Sequence, residues 1–329
     1  MPVGQGWNSW VSFKEMAGLY SDADAGAARQ GFARVTDGVQ LVVDENFYIA
    51  PGYGGRNIRA KYPGRRVVDL TLPIETNYEG GWFYLLKHWF GTYLFTPNSP
   101  VATVNAHLYQ TAAALPLGLY LELSAGNIPT NQVFGLPGCK VNTFEIGLDQ
   151  DSLLSASFGI IARDCVPGQA RVGAPVYPTD KHIKSVHYAP TYAATLASLV
   201  GSNIATLQSF KITGNNNLER RFNLGRYTNE PVANDPLSVE VECVADFEDL
   251  THYNKFLAAT TGGFSIVLTG DIITGATRNF AQFLATTSII TEAPINLQSR
   301  GPITVPLKAQ MIGSTPEFQA LFYNQQATL

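Results

Sequence analysis

Over residues 67–91 the hydrophobic positions change period. Val68, Leu70, Leu72 and Ile74 alternate with Asp69, Thr71, Pro73 and Glu75, the two-residue rhythm of a strand with one face in a core. Residues 80–91 then run Gly-Gly-Trp-Phe-Tyr-Leu-Leu-Lys-His-Trp-Phe-Gly, which predicts a short apolar helix stopped by its glycine. The same succession returns later. Val239, Val241, Cys243 and Ala245 alternate with Glu240, Glu242, Val244 and Asp246, and residues 249–259 predict a second short helix. Val68 maps onto Val239 and Glu75 onto Asp246, a shift of 171.

The flanks correspond in the same order. Residues 46–50 resemble 209–213 at a shift of 163, and 119–124 resemble 264–269 at a shift of 145. A closing hairpin, with arms 146–148 and 154–161, matches arms 295–297 and 303–311 at a shift of 149. Ordered self-similarity of this kind points to tandem duplication. The expected fold is mainly β: two similar β-sandwich or barrel domains, each with one short flanking α-helix. Residues 1–40 form an N-terminal arm, 41–164 the first domain, 165–206 a proline-broken connector and 207–329 the second domain. For the first segment, with Trp7, Trp10, Val11 and Phe13, two readings stand: an arm that packs on something, or an ordinary first strand of the first barrel. Residues 92–118 have no counterpart in the second half and read as an extended loop or hairpin.

Composition narrows the function. The 329 residues are 45% hydrophobic and 15% charged with a net charge of −4, a globular composition without the basic field expected of a nucleic-acid binder. Three cysteines at long spacing, Cys139, Cys165 and Cys243, suit core fillers in a reducing compartment rather than a disulfide framework. No basic and apolar leader opens the chain, and no run of about 18 apolar residues predicts a membrane span. His182 and His187 lack ligand neighbours, and no phosphate loop, nucleophile elbow or zinc-protease signature occurs. Catalytic residues, metal and cofactor are therefore all expected to be absent, and the chain is not expected to be an enzyme.

What remains is surface. A basic cluster of Arg56, Arg59, Lys61, Arg65 and Arg66 is expected on a loop, as a solvated or subunit-contacting patch rather than a phosphate site. Asp69, Thr71 and Glu75 in one half, and Glu240, Glu242 and Asp246 in the other, share equivalent polar faces. Such a face is either the ordinary wet side of an antiparallel sheet or the wall of a channel formed by assembled copies.

The segment 105–110 (Asn-Ala-His-Leu-Tyr-Gln) leading through Leu115-Pro116 into strand 119–123, the stretch 138–146 before a hairpin, and 209–217 with Leu224-Gly225 and Phe247-Glu248-Asp249 beyond it resemble the tail tube (major tail) proteins of long-tailed bacteriophages, over roughly residues 40 to 311. The resemblance implies a structural virion protein, made in the host cytoplasm and located in the phage tail, without membrane insertion. It implies stacked homo-oligomeric rings, here three chains with pseudo-sixfold symmetry. Their lumen would hold the tape-measure protein and conduct DNA during ejection. Tail-tip or baseplate and tail-terminator proteins would be further partners. Lumen-facing candidates are Asp69, Thr71, Glu75, Glu240, Glu242 and Asp246; inter-ring or inter-subunit loop candidates are Arg56, Arg59, Arg65, Arg66, His107 and Tyr109. The alternative is a carbohydrate- or host-surface-binding β-sandwich decoration module, for which Tyr53, Tyr62, Trp82 and Trp89 could stack on sugar. The seven-residue spacing of the two tryptophans instead favours one packed helix face.

Overall fold

The computed structural model describes residues 9–18, 25–36, 38–50, 60–124, 133–173, 181–184, 195–199, 202–204, 207–295, 303–313, 318–327 and 329. In chain order these form β1 (Trp10–Glu15), β2 (Gly31–Arg34), β3 (Gln40–Ala50), β4 (Ala60–Glu75), α1 (Phe83–Phe90), β5 (Gly91–Thr96), β6 (Asn105–Thr111), β7 (Leu119–Ser124), β8 (Val133–Leu148), β9 (Ser155–Ala162) and β10 (Val166–Gln169). The second half continues with β11 (Thr195–Leu199), β12 (Ser202–Ile204), β13 (Leu207–Asn215), β14 (Leu218–Glu219), β15 (Val232–Ala233), β16 (Ser238–Asp246), α2 (Thr251–Leu257), β17 (Thr261–Thr274), β18 (Thr277–Glu292), β19 (Thr304–Met311) and β20 (Phe318–Asn324). The protein is mainly β, almost wholly antiparallel, with two short helices.

The two halves run through the same pairings. In the first, β3 pairs β4, β4 pairs β9, β9 pairs β8 and β8 pairs β7. In the second, β13 pairs β16, β16 pairs β19, β19 pairs β18 and β18 pairs β17. The registers match as well. Leu70 lies between Leu41 and Ile160, and Val241 lies between Ile212 and Ala309. Even an irregularity recurs: the β7–β8 ladder slips between Leu119 and Leu121, and the β17–β18 ladder slips between Gly262 and Phe264, each a shift of 143, which corrects the 145 aligned for residues 119–124.

These registers correct the flank alignment. The strand equivalent to β13 is aligned through Leu41 and Ile212, a shift of 171 rather than 163. The hairpin keeps its shift of 149, with Val141 opposite Ile160 matching Ile290 opposite Ala309, but its first arm in the second half, β18, ends at Glu292, short of residues 295–297. Of those three, Ile295 follows the strand and the other two lie outside the described residues.

The halves are joined through backbone as well as core. Residues 210–215 of β13 pair with 143–148 of β8, so β3–β4–β9–β8–β13–β16–β19–β18 is one continuous sheet. β20 pairs both β18 and β6, carrying the C-terminal strand back to the first half. One contiguous apolar core runs beneath both.

Residues 92–118 fold as the β5–β6 hairpin, within the range expected for them. The N-terminal segment takes the second of its two readings: β1 lies antiparallel between β2 and β7, with Trp10, Val11 and Phe13 buried. Its polar anchor is an ion pair beneath the surface. Arg29 Nε donates to Glu122 Oε2 at 2.9 Å, and the guanidinium lies 4.7 Å from the Tyr120 ring centroid. The connector supplies β10, on β8, and β11, on β17. All three cysteines are buried and unbonded, and burial pushes the Cys243 thiol up to about 12, as suits inert core filling.

Candidate functional site

The continuous sheet has a dry and a wet face, and alternation sorts the residues between them. On β4, Val68, Leu70, Leu72 and Ile74 are buried while Asp69 and Thr71 are exposed and Glu75 is half-buried. On β16, Val239, Val241, Cys243 and Ala245 are buried; Glu240 and Asp246 are half-buried and Glu242 is exposed. The six acidic and hydroxyl candidates therefore share the polar face of one sheet.

Between them the face is small and hydroxylated. β8 contributes Thr143 and Glu145, β9 contributes Ser157 and Gly159, and β13 contributes Thr213 and Asn215; together with Thr71 and Glu240 these line an open trough across the junction of the halves. The cations reaching this face sit against carboxylates. Arg220 bonds Asp69, Lys211 lies 2.9 Å from Glu145, and Lys308 bridges Glu240 at 3.1 Å and Glu242 at 3.5 Å. Glu240 holds the Lys308 ammonium above its ordinary pKa, so the cation stays charged and bound to the wall. Glu75 meets His182 Nδ1 at 3.2 Å and Arg34 at 3.9 Å, and Asp246 accepts from Gln208 at 2.5 Å. Carboxylates outnumber cations here, and much of their field is cancelled locally. That internal pairing was not legible in the sequence, because Arg220 and Lys308 reach Asp69 and Glu240 only through the fold.

The contact-loop candidates divide. Arg56 and Arg59 lie outside the described residues. Arg65 and Arg66 belong to β4 rather than to a loop. Arg66 bonds Asp164 at 2.7 Å and Glu45 at 3.3 Å, and Asp164 first, then Glu45, raise its pKa. β3 and β4 extend beyond the end of β9 at Ala162 as a two-stranded ribbon, with Phe47, Tyr48, Ile49 and Tyr62 exposed along it. Its cations ride on apolar surface, Lys61 over Phe47 with Nζ 3.6 Å from the centroid.

His107 and Tyr109 correct the expectation. They lie on β6, fully buried, not on a contact loop. Tyr93 and His107 Nδ1 are 2.9 Å apart, and both candidate rings pack against Phe83 of α1 at 5.8 Å. Their covering strand is β20, more than 200 residues away in sequence, as in Tyr109 opposite Ala320, so local pattern carried no sign of it. Trp82 and Trp89 are buried too, which removes both from any sugar-stacking surface.

The family model described as Phage tail tube protein matches residues 50–311. The chain belongs to the phage tail tube protein family. No curated protein matches it. The polar-faced continuous sheet is thus the sheet of a structural tail tube subunit, a component of the virion tail. Among the described residues no group of three or more His, Cys, Asp or Glu could hold a metal ion, and no helix is long and apolar enough to cross a membrane.

Proposed function

We propose that this tail tube protein is a tandem duplication, with tube domains at 41–164 and 207–329, that assembles as rings of three chains with pseudo-sixfold symmetry. The rings stack, the polar face of the continuous sheet lines the lumen, and that lumen holds the tape-measure protein and then passes DNA. One observation carries the reading: β8 and β13 join two equivalent four-strand sheets edge to edge inside a single chain, while β3 at the far side pairs only β4 among the described residues. An edge left open in this way invites uncontrolled pairing, and closure into a ring removes it.

Asp69, Thr71, Glu75, Glu240, Glu242 and Asp246 are then wall residues. A wall whose cations are engaged by carboxylates gives DNA few phosphate contacts, so passage escapes the salt-dependent grip that makes basic surfaces bind tightly. The β3–β4 ribbon, with Arg65, Arg66 and its exposed aromatics, suits contact between stacked rings. Negative-stain microscopy of the purified chain tests the assembly: hollow rings or tubes with threefold averages are expected. A monomer at high concentration that forms neither would overturn it.

A further inference from the structure

The junction between β8 and β13 is a template for a junction that one chain cannot make alone. Carrying the β13 residues to their first-half equivalents (shift 171) and the β8 residues to their second-half equivalents (shift 149) converts Ile212 opposite Ile146 into Leu41 opposite Ile295, and Asn215 opposite Thr143 into Asp44 opposite Glu292. Resting on the ring reading above, we infer that residues 41–44 of β3 pair antiparallel with residues 292–295 of a second copy in this register, and that the same contact seats the neighbour's Leu41 beside α2.

Three observations point to a second copy of this chain as the occupant. The first is the groove. Beside α2 lies a hollow of mixed lining, apolar at Ile204, Ala245, Phe247, Tyr253, Ile295 and Leu307 and polar at Asp246, Glu248, Asp249, Thr251 and His252. The equivalent place beside α1 is filled, because Ile146 and its partner Ile212 are both fully buried there. Leu41 is the residue that stands to Ile295 as Ile212 stands to Ile146.

The second is volume. Within the chain, Gly214 faces Phe144, and a Cβ built on that glycine would lie 2.2 Å from Phe144 and 2.5 Å from Trp89. The transferred register puts Val43, 45% exposed in the single chain, opposite Ala293. Small faces large at both junctions, with the sizes exchanged between strands.

The third is backbone. The Asn216 N–H donates to Asn142 O at 2.8 Å, so Asn142, and by alternation Phe144 and Ile146, turn their backbone groups toward β13. Ala293 and Ile295 then face β3 of the neighbour. Pro294, which has no N–H to give, occupies the position of Glu145 and points away from the seam.

Asp44 and Glu292 fall in a non-hydrogen-bonded pair on the wet face, where Cα atoms approach to about 4.5 Å, within disulfide reach. The test is the full chain carrying Asp44→Cys and Glu292→Cys, assembled and oxidised, with Val42→Cys plus Glu292→Cys as the pair two residues out of register; the three native cysteines are buried. A non-reducing ladder that ends at a covalent trimer for the first pair only is expected. Equal cross-linking of the offset pair overturns the register, and hollow tubes without any cross-link overturn this seam while leaving the tube reading intact. A chain that stays monomeric and makes no tubes overturns both. The single variant Asp44→Asn, which removes a like-charged cross-strand pair, should lower the concentration needed for assembly by about twofold or more. No change or a rise in that concentration counts against the register.

Discussion

α1 and α2 follow equivalent strands and stand in opposite circumstances. Every residue of α1 except Lys87 is buried, whereas α2 buries none. Trp89, seventh in α1, sits edge-on to Phe144 at 4.4 Å and donates its indole N–H to Asn142 O, while Asn216 Nδ2 donates to Trp89 O. Leu257, seventh in α2, is 63% exposed. The sequences anticipate this: α1 is Phe-Tyr-Leu-Leu-Lys-His-Trp-Phe, and α2 is Thr-His-Tyr-Asn-Lys-Phe-Leu. One helix is wedged under the seam between the halves, with β6 and β20 closing over it; the other lies beside residues 293–295, which pair with no strand among the described residues. A repeat, then, has one set of strand pairings but two environments, and the difference marks which end of the chain is finished by its own residues.

The largest effect should come from α1. Trp89→Ala is expected to cost about 3–5 kcal/mol by denaturant unfolding, from lost burial plus the cavity left behind; Phe256→Ala in α2 should cost clearly less in the dissociated chain. Equal costs would break the contrast between the helices. Next comes the inner seam. Gly214→Ala drives a methyl into Phe144 and Trp89 and should cost about 1–3 kcal/mol, whereas Val43→Ala at the equivalent outer position should stay within about 0.5 kcal/mol in the single chain.

Acid sharpens the comparison further. His88 of α1 is buried and, as the Nε2–H tautomer, donates to Glu15 Oε1 at 3.2 Å; Lys87 reaches the same oxygen at 2.7 Å. The His88 hydrogen bond, then Lys87, lowers the Glu15 pKa from 4.5 to about 2 against the opposing effect of burial, so this carboxylate stabilises the fold above pH 4.5 and that contribution fades between pH 4.5 and 2. Burial lowers His88 below 6.5, and its Nδ1 has no partner to receive a second proton. The unfolded chain therefore takes up that proton first, and stability falls as pH drops below 6.5. Unfolding midpoints measured from pH 7 to pH 3 should decline, and Glu15→Gln should flatten the part below pH 4.5. The smallest effect is expected at Leu257→Ser: within about 0.5 kcal/mol on the isolated chain, yet a visible loss of ring or tube formation by microscopy. A variant that assembles normally would show that α2 is not covered by a neighbour.

Legibility followed the range of the signal. Alternation in β4 and β16 placed every buried and polar residue on its correct face, because the two-residue period is set by the backbone of each strand alone. The stop at Gly91 was equally local: its φ of 97° suits a residue without a side chain, and its N–H closes the helix on Lys87 O. The alignment of 46–50 with 209–213 slipped by eight residues, an even number, so faces survived while partners did not. β18 escaped notice because Ala281 and Ala285 fill core positions where a large apolar residue would have announced a strand. β20 was missed outright.

By itself the sequence determined which residues turn inward, where one strand gives way to a helix, and that the succession occurs twice; the first two are written among neighbouring residues, and the third by comparing stretches 171 residues apart. Which edges meet was decided only in three dimensions. That β20 covers His107 and Tyr109, that β13 completes β8, and that Arg220 and Lys308 answer the acids of the polar face all depend on pairing between distant segments, where shape and hydrogen-bond register select among partners that local pattern leaves equivalent.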